Sequence, residues 1–178
     1  MTIAPRYRLP IAILASVAVV AVVLIAVIVA SGGGRPNDTP APSASPSASI
    51  DPYATPESSV RAFFEAYSQA RRTDDPSLVE PYVTGKTSSA YLSAAAFLKG
   101  QKESGKASVT TVLRIENVNV EQSGTSATVS FDYTDGGYNI DPTSGSPLES
   151  PTILPTTRVV ATVHLIGGRW LVDSYQTQ

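Results

Sequence analysis

The chain contains no cysteine. Disulfides, thiol catalysis and a lipid-modified cysteine behind the N-terminal apolar run are therefore excluded. A single histidine in 178 residues leaves no Cys/His set for a structural zinc site. Basic residues are also few: 13 Lys and Arg stand against 15 Asp and Glu, with no basic stripe. That argues against nucleic-acid binding, which needs a positive face. A domain without disulfides or zinc must be held by its apolar core. The roughly 125 residues after position 52 are enough to bury one.

Charge is missing altogether from residues 9–30, where only Pro10 and Ser16 interrupt Ala, Val, Ile and Leu. As a helix rising about 1.5 Å per residue, this run reaches about 33 Å and crosses a hydrocarbon core of about 30 Å. It has no polar face, unlike a helix packed on a soluble core. A cleaved signal peptide is the alternative, with Ala30-Ser31-Gly32 as a weak cleavage site. Signal h-regions run roughly 7–15 residues, shorter than this one, so the reading is an uncleaved anchor. Arg6 and Arg8 precede the run, whereas Arg35 is followed by Asp38 and Asp51. Basic residues favour the cytoplasmic side. Residues 1–8 are then a short cytoplasmic tail, and the rest of the chain lies outside the cytoplasm at the cell membrane.

Residues 31–52 are Gly, Pro, Ser, Ala and Thr with almost no large apolar side chain. Such a stretch buries too little to offset its ordering entropy and is predicted to be a disordered stalk. Asn37-Asp38-Thr39 is a formal glycosylation sequon, a tripeptide that arises by chance in Ser/Thr-rich linkers.

The folded domain is predicted over residues 53–178. Thr55 suits a helix N-cap, Pro56 the first turn, and Glu57 the positive end of the dipole. Val60, Phe63, Phe64 and Tyr67 follow at helical spacing, to about Arg72. A short second helix is expected over residues 77–83, with Leu78, Val79 and Tyr82. A third follows a Thr87 or Ser88 cap, carries Tyr91, Leu92, Ala95 and Leu98, and ends at Gly105. The period then changes to two. Residues 109–120 read as a strand, with a phase slip that predicts a bulge near Glu116-Asn117. Ala127, Val129, Phe131 and Tyr133 alternate with polar residues in the clearest strand of the chain. Residues 136–155 read as a long loop. Residues 156–166 and 169–176 are strands joined by a Gly167-Gly168 turn. The prediction is an α+β domain: three N-terminal helices on a curved four-stranded antiparallel sheet.

The opening helix, SSVRAFFEAYSQA, and the closing hairpin, GGRWLVDSYQ, resemble those of the NTF2-like, or cystatin-like cone, superfamily. The resemblance spans roughly residues 55–178. It implies a cone of helices on a curved sheet, hosting either cyclase or isomerase enzymes or anchored, non-catalytic domains. The tail, span, stalk and single cone are similar to the second group, as in Mce-associated proteins or VirB8/TcpC-type transfer-channel components. The Ala/Val/Pro/Thr bias and the excess of Arg over Lys resemble an actinobacterial protein. Several relatives carry additional helices or strands before the meander that this sequence lacks.

Enzymes of that superfamily hold an Asp or His inside the cone. Here the ionisable strand residues weighed for that role are Asp132, His164 and Asp173. Strand alternation sets each out of phase with its apolar neighbours, so no catalytic residue is assigned. Phe63, Phe64, Tyr67, Phe131, Tyr133 and Trp170 are expected to face inward, as core or as an aromatic-lined pocket for an apolar ligand such as a lipid. Phe63, Tyr67, Phe131, Tyr133 and Trp170 are the pocket candidates. Asp132-Tyr-Thr-Asp135-Gly136-Gly137 faintly resembles a calcium loop but lacks the required glutamate, so no metal is expected. No cofactor is implied.

The 136–155 segment carries Tyr138, Ile140, Leu148, Ile153 and Leu154 among glycines and prolines, a pattern that fits partner docking. The expected function is a non-enzymatic, membrane-anchored extracytoplasmic module. It would be an accessory or scaffolding subunit of a cell-envelope transport or secretion complex, with envelope proteins as partners. Homodimerisation through the sheet is implied by the resemblance. A small-ligand carrier or sensor using the aromatic cone is the alternative.

Overall fold

A computed structural model describes residues 51–178. The expected tail, anchor and all but the last two residues of the stalk lie outside the described residues. Among the described residues no helix is long and apolar enough to cross a membrane.

Helix α1 spans Pro56–Thr73. Its start is set locally: Thr55 Oγ1 accepts from Ser58 N–H, and Ser58 Oγ accepts from Thr55 N–H, each at 3.0 Å. This is a reciprocal capping box with serine in place of the usual glutamate. Asp74 ends the helix in the left-handed region, at φ 53°. The short second helix expected over residues 77–83 is present as a 3-10 helix, Pro76–Tyr82. Pro76 takes the first helical position, where its missing N–H breaks no bond, but Pro81 removes an interior donor and interrupts an α-helical ladder over these seven residues. Helix α2 spans Ser89–Glu103, capped by Ser88. Its inward stripe is Ala90, Ala94, Leu98 and Gln101, whereas Leu92 is exposed.

The sheet is fully antiparallel and ordered β1-β2-β4-β5, with β1 Ala107–Ser123, β2 Ser126–Ile140, β4 Thr157–Ile166 and β5 Arg169–Thr177. A two-residue β3, Thr152–Ile153, pairs with β2 as a fifth strand beyond the four expected. Two register shifts interrupt the β1–β2 ladder. One lies between Glu116 and Asn119, where Asn117 has φ 50°, and the other between Thr110 and Val112. The first is the bulge expected from the phase slip. Each adds twist and bends the strand. Gly167 and Gly168 both take positive φ in the β4–β5 turn, as a type I′ connection requires.

The core lies between the helices and the concave side of the sheet. Val60 and Phe63 of α1 and Leu98 of α2 meet Val129 and Phe131 of β2, Val163 of β4 and Val172 of β5, all almost fully buried.

The segment 136–155 is not the long loop expected. Strand β2 continues seven residues past Tyr133, to Ile140. The chain then turns on Asp141, whose Oδ1 accepts from Thr143 and Ser144 N–H at 2.8 and 2.9 Å. It returns beside β2, with Leu148 N–H donating to Asn139 O at 2.8 Å and Leu154 N–H to Asp135 O at 2.9 Å. This strap continues the line of β4. Two glycines hid the strand from a propensity reading, and packing requires at least one of them. A Cβ on Gly137 would sit 2.0 Å from the Val109 carbonyl oxygen of β1.

Gly137→Ala is therefore expected to push β1 from β2 and lower stability by about 1–3 kcal/mol or more. Gly100→Ala, in α2 with nothing within 4 Å, is expected to raise it by about 0.5–1 kcal/mol. Urea unfolding of both variants checks the pair, and equal effects would contradict the close approach at Gly137.

Candidate functional site

Ala127, Val129, Phe131 and Tyr133 point into the cone, and the same alternation carries Asp135 inward two residues later. On α1 the stripe Val60, Phe64, Tyr67 extends one more turn to Arg71. The two extensions meet. Arg71 Nη1 donates to Asp135 Oδ2 in an ion pair whose side chains are only 15% and 11% exposed. Arg71 also lies 5.8 Å from the centre of the Phe97 ring on α2. Gln101 Nε2 donates to Arg71 O at 2.6 Å and to Asp74 Oδ1 at 2.7 Å, which ties the end of α1 to α2.

The pair is incompletely satisfied. Asp135 Oδ1 and Arg71 Nε are buried, and neither has a hydrogen-bond partner among the described residues. Burying a polar group unpaired is costly, and both atoms belong to the one ion pair at this end of the cone. Asp135 was not weighed as an interior residue in the sequence because Gly136-Gly137 reads as the start of a loop. Continuing the period of two from Tyr133 would have found it.

A cavity of about 270 Å³ opens at this end, lined by Phe64, Tyr67, Tyr133 and Tyr175, with Leu154 and Phe97 among its other walls. The Phe64 ring lies 4.9 Å from Tyr133 and 5.4 Å from Tyr175. A smaller cavity of about 190 Å³ adjoins it and shares Arg71, Asp135, Phe97 and Leu154, but its remaining walls are mostly polar. Burial raises the phenol pKa of Tyr67, Tyr133 and Tyr175. The Asp135 carboxylate adds to the rise at Tyr133, and Tyr175 adds to it at Tyr67. At neutral pH these hydroxyls keep their protons and can donate.

The residues picked from sequence divide by position. Tyr67 and Tyr133 line the larger cavity. Phe63 and Phe131 are fully buried behind it, where Phe131 packs edge-on against Phe64 at 5.5 Å. Trp170 is buried five residues along β5 from Tyr175, where its backbone N–H donates to Tyr53 O, so it does not line the cavity. Of the strap residues, Ile140 is buried and Tyr138 half-buried within β2, whereas Leu148, Ile153 and Leu154 are 50%, 60% and 55% exposed. Asp132 lies on the opposite face of β2 from Asp135. There Asn117 and Arg158 hydrogen-bond its carboxyl at 2.7 and 2.9 Å and hold its pKa below the usual range. Asp173 accepts from Thr84 Oγ1 at 2.7 Å. His164 is half-buried, out of phase with Val163 on β4. No three His, Asp or Glu side chains that could hold a metal converge among the described residues.

Comparison with known proteins gives the fold. No family model matches the chain, and no curated protein matches it. Among solved structures, the domain is similar to the intermembrane space region of the chloroplast protein ARC6, at TM-score 0.51 and 15% identity, covering 68% of this chain and 92% of that one. It is also similar to an NTF2-like superfamily protein from Salmonella enterica, at TM-score 0.50 and 13% identity, covering 69% and 89%. The domain thus has an NTF2-like fold.

The buried phenols have a consequence at alkaline pH. Because the folded state raises their pKa above the unfolded value of about 10, their contribution is fully present below that pH. It is lost as pH rises through it. Tyr67, Tyr133 and Tyr175 are expected to ionise only as the fold gives way, and Phe at 67 and 133 should flatten the alkaline loss of stability. Ultraviolet titration alongside circular dichroism checks this, and ionisation of every tyrosine in a fully folded chain would refute it.

Proposed function

We propose that this chain is a membrane-tethered, non-catalytic binding module displayed outside the cytoplasm, whose open cone end takes one small, largely apolar molecule. The observation that carries the reading is the aromatic cavity of about 270 Å³ between α1, α2 and the sheet. Ligand sites are concave, mostly apolar and set with a few polar groups, and this one has the Arg71–Asp135 pair in its wall. Its volume lies just under the range of drug-sized sites, which points to a small molecule or to one end of a longer one. A non-catalytic role fits an Asp135 carboxylate already engaged by a guanidinium rather than free to act as a base. Residues 9–30 supply the anchor and residues 31–52 the reach, so weak binding is reinforced by high local concentration at the membrane.

The test uses the full chain in lipid nanodiscs with isotope-labelled tyrosine. Titration with indole is expected to shift the ring signals of Tyr67, Tyr133 and Tyr175 and to leave Tyr53 and Tyr82, which line neither cavity, in place. Leu154→Trp, a change at an exposed rim position, is expected to plug the mouth and weaken indole binding at least about tenfold, since a filled pocket leaves no apolar area to bury. Ring signals that do not move, or a variant that binds as well, would rule the reading out.

A second reading is supported by the strap. Leu148, Ile153 and Leu154 of the strap each expose apolar surface, with Leu154 beside the exposed Phe97 in the wall of the larger cavity, and apolar exposure concentrated on one segment marks interaction sites. In this reading the module is an accessory or scaffolding subunit of a cell-envelope transport or secretion complex, held by protein partners through the strap. A photo-crosslinker at Ile153 in native membranes is expected to capture one reproducible neighbouring protein. Adducts no different from those of a crosslinker at Gln122, on the distant β1–β2 turn, would sink it.

A further inference from the structure

The chain enters the domain through a turn. Ala54 N–H donates to Asp51 O at 3.2 Å, and Asp51 Oδ1 accepts from Tyr53 N–H at 2.9 Å. Asp51 at the first position and Pro52 at the second are residues that such a β-turn favours. Tyr53 is then held from three directions. Its carbonyl accepts from the Trp170 backbone N–H at 3.1 Å, its ring stacks on Tyr82 at 5.7 Å, and the Arg169 guanidinium lies 3.5 Å from the ring centre. A β-turn brings the residue before it back toward the residues after it, which here are the start of α1.

Pro52, inside that turn, lines two depressions along α1, of about 480 and 160 Å³. They share Pro52, Ala62 and Glu65 and so make one trough. From α1 the larger part takes only Ala62, Glu65, Ala66 and Gln69, at helical spacing. Leu78 and Tyr82 of the 3-10 helix supply its other side. Ala66 is buried and Ala62 half-buried, whereas Glu65, Gln69 and Ser77 are exposed. The trough therefore has a small, apolar floor and a polar rim.

The sequence supplies an occupant at the right distance. Residues 31–52 hold one large apolar side chain, that of Ile50. It stands two residues before Pro52, so the two Cα atoms are at most about 7 Å apart. In an extended chain Ala48 shares its side, while Ser47 and Ser49 face the other way. Residues 39–50 carry no charge that docking would have to desolvate.

We propose that the base of the stalk docks on its own domain: Ala48 and Ile50 seat in this trough, with Ile50 against Ala62, Ala66 and Leu78. The free stalk then ends at residue 47 and leaves the domain in a fixed direction. The chain's own segment is the occupant because the Asp51–Ala54 turn holds it at the trough wall, at a local concentration no separate partner matches. The cavity at the cone end shares no residue with the trough, so neither assignment depends on the other.

The lack of cysteine allows two spin labels to be placed on the full chain in nanodiscs, at Ser47→Cys and Arg72→Cys, neither of them in the trough wall. Double electron–electron resonance is expected to give one narrow distance distribution, and Ile50→Ser to replace it with a broad one. Ala62→Glu, which puts a charge in the trough and leaves Ile50 intact, is expected to do the same while the Tyr53 ring signal keeps its place. In methyl-labelled chain, Ile50 is expected to show cross-peaks to Leu78. A broad distribution in the parent chain, or a narrow one that survives either substitution, would overturn the proposal. Ile50–Leu78 cross-peaks found only between differently labelled copies in a mixed sample would give the trough to a second copy and overturn it too.

Discussion

Strand β2 carries no bulge of its own, so Ala127, Val129, Phe131, Tyr133 and Asp135 share one inward phase, and the rest of the domain is arranged around that constraint. Its inward positions supply the floor of the core as far as Phe131, the wall of the cavity at Tyr133, and the charge at Asp135. An interruption of the alternation anywhere before Gly136 would send Asp135 to the solvent face, since a one-residue slip reverses every side chain beyond it. The bulges are instead on β1, where extra residues at Thr111 and near Asn117 absorb the curvature that the cone needs. The partner strand bends, and β2 stays in phase.

Past Tyr133 the strand can continue only because its neighbours come unusually close. At Gly137 the Val109 carbonyl occupies the space of a side chain, and at Gly136 the backbone of Ile153 lies 3.0 Å from where a Cβ would be. Absence of a side chain on both sides lets β1 and the strap clamp the same stretch of β2. The clamp in turn places Leu154 over the cavity mouth and Glu149 beside the smaller, mostly polar cavity. Glycine is a poor strand former when judged by propensity, yet here it allows the sheet to extend.

The Arg71–Asp135 pair joins helix to sheet at the one end of the cone where the core gives way to open space. Desolvating two charges is expensive, and a pair of this kind is poor evidence for stability by itself. An apolar pair of similar size would pack the position with no unpaired atoms.

Much of the domain was legible in the sequence because the signals were local. The caps of α1 and α2, the two-residue turn at Gly167-Gly168, the bulge near Asn117 and the clear alternation up to Tyr133 all depend on residues a few positions apart. The α+β order and the concave sheet followed from those pieces. The short second helix was legible too, although its apolar spacing suits either helix type and its 3-10 form goes with the interior proline, Pro81. What tertiary structure alone decided was contact between distant residues: the inward stripe of α2 at Ala90, Ala94 and Leu98, the strap folded back on β2, and the meeting of Arg71 with Asp135 across 64 positions. No local pattern encodes that meeting. It arises where the last turn of one helix and the far end of one strand reach the same rim of the cone.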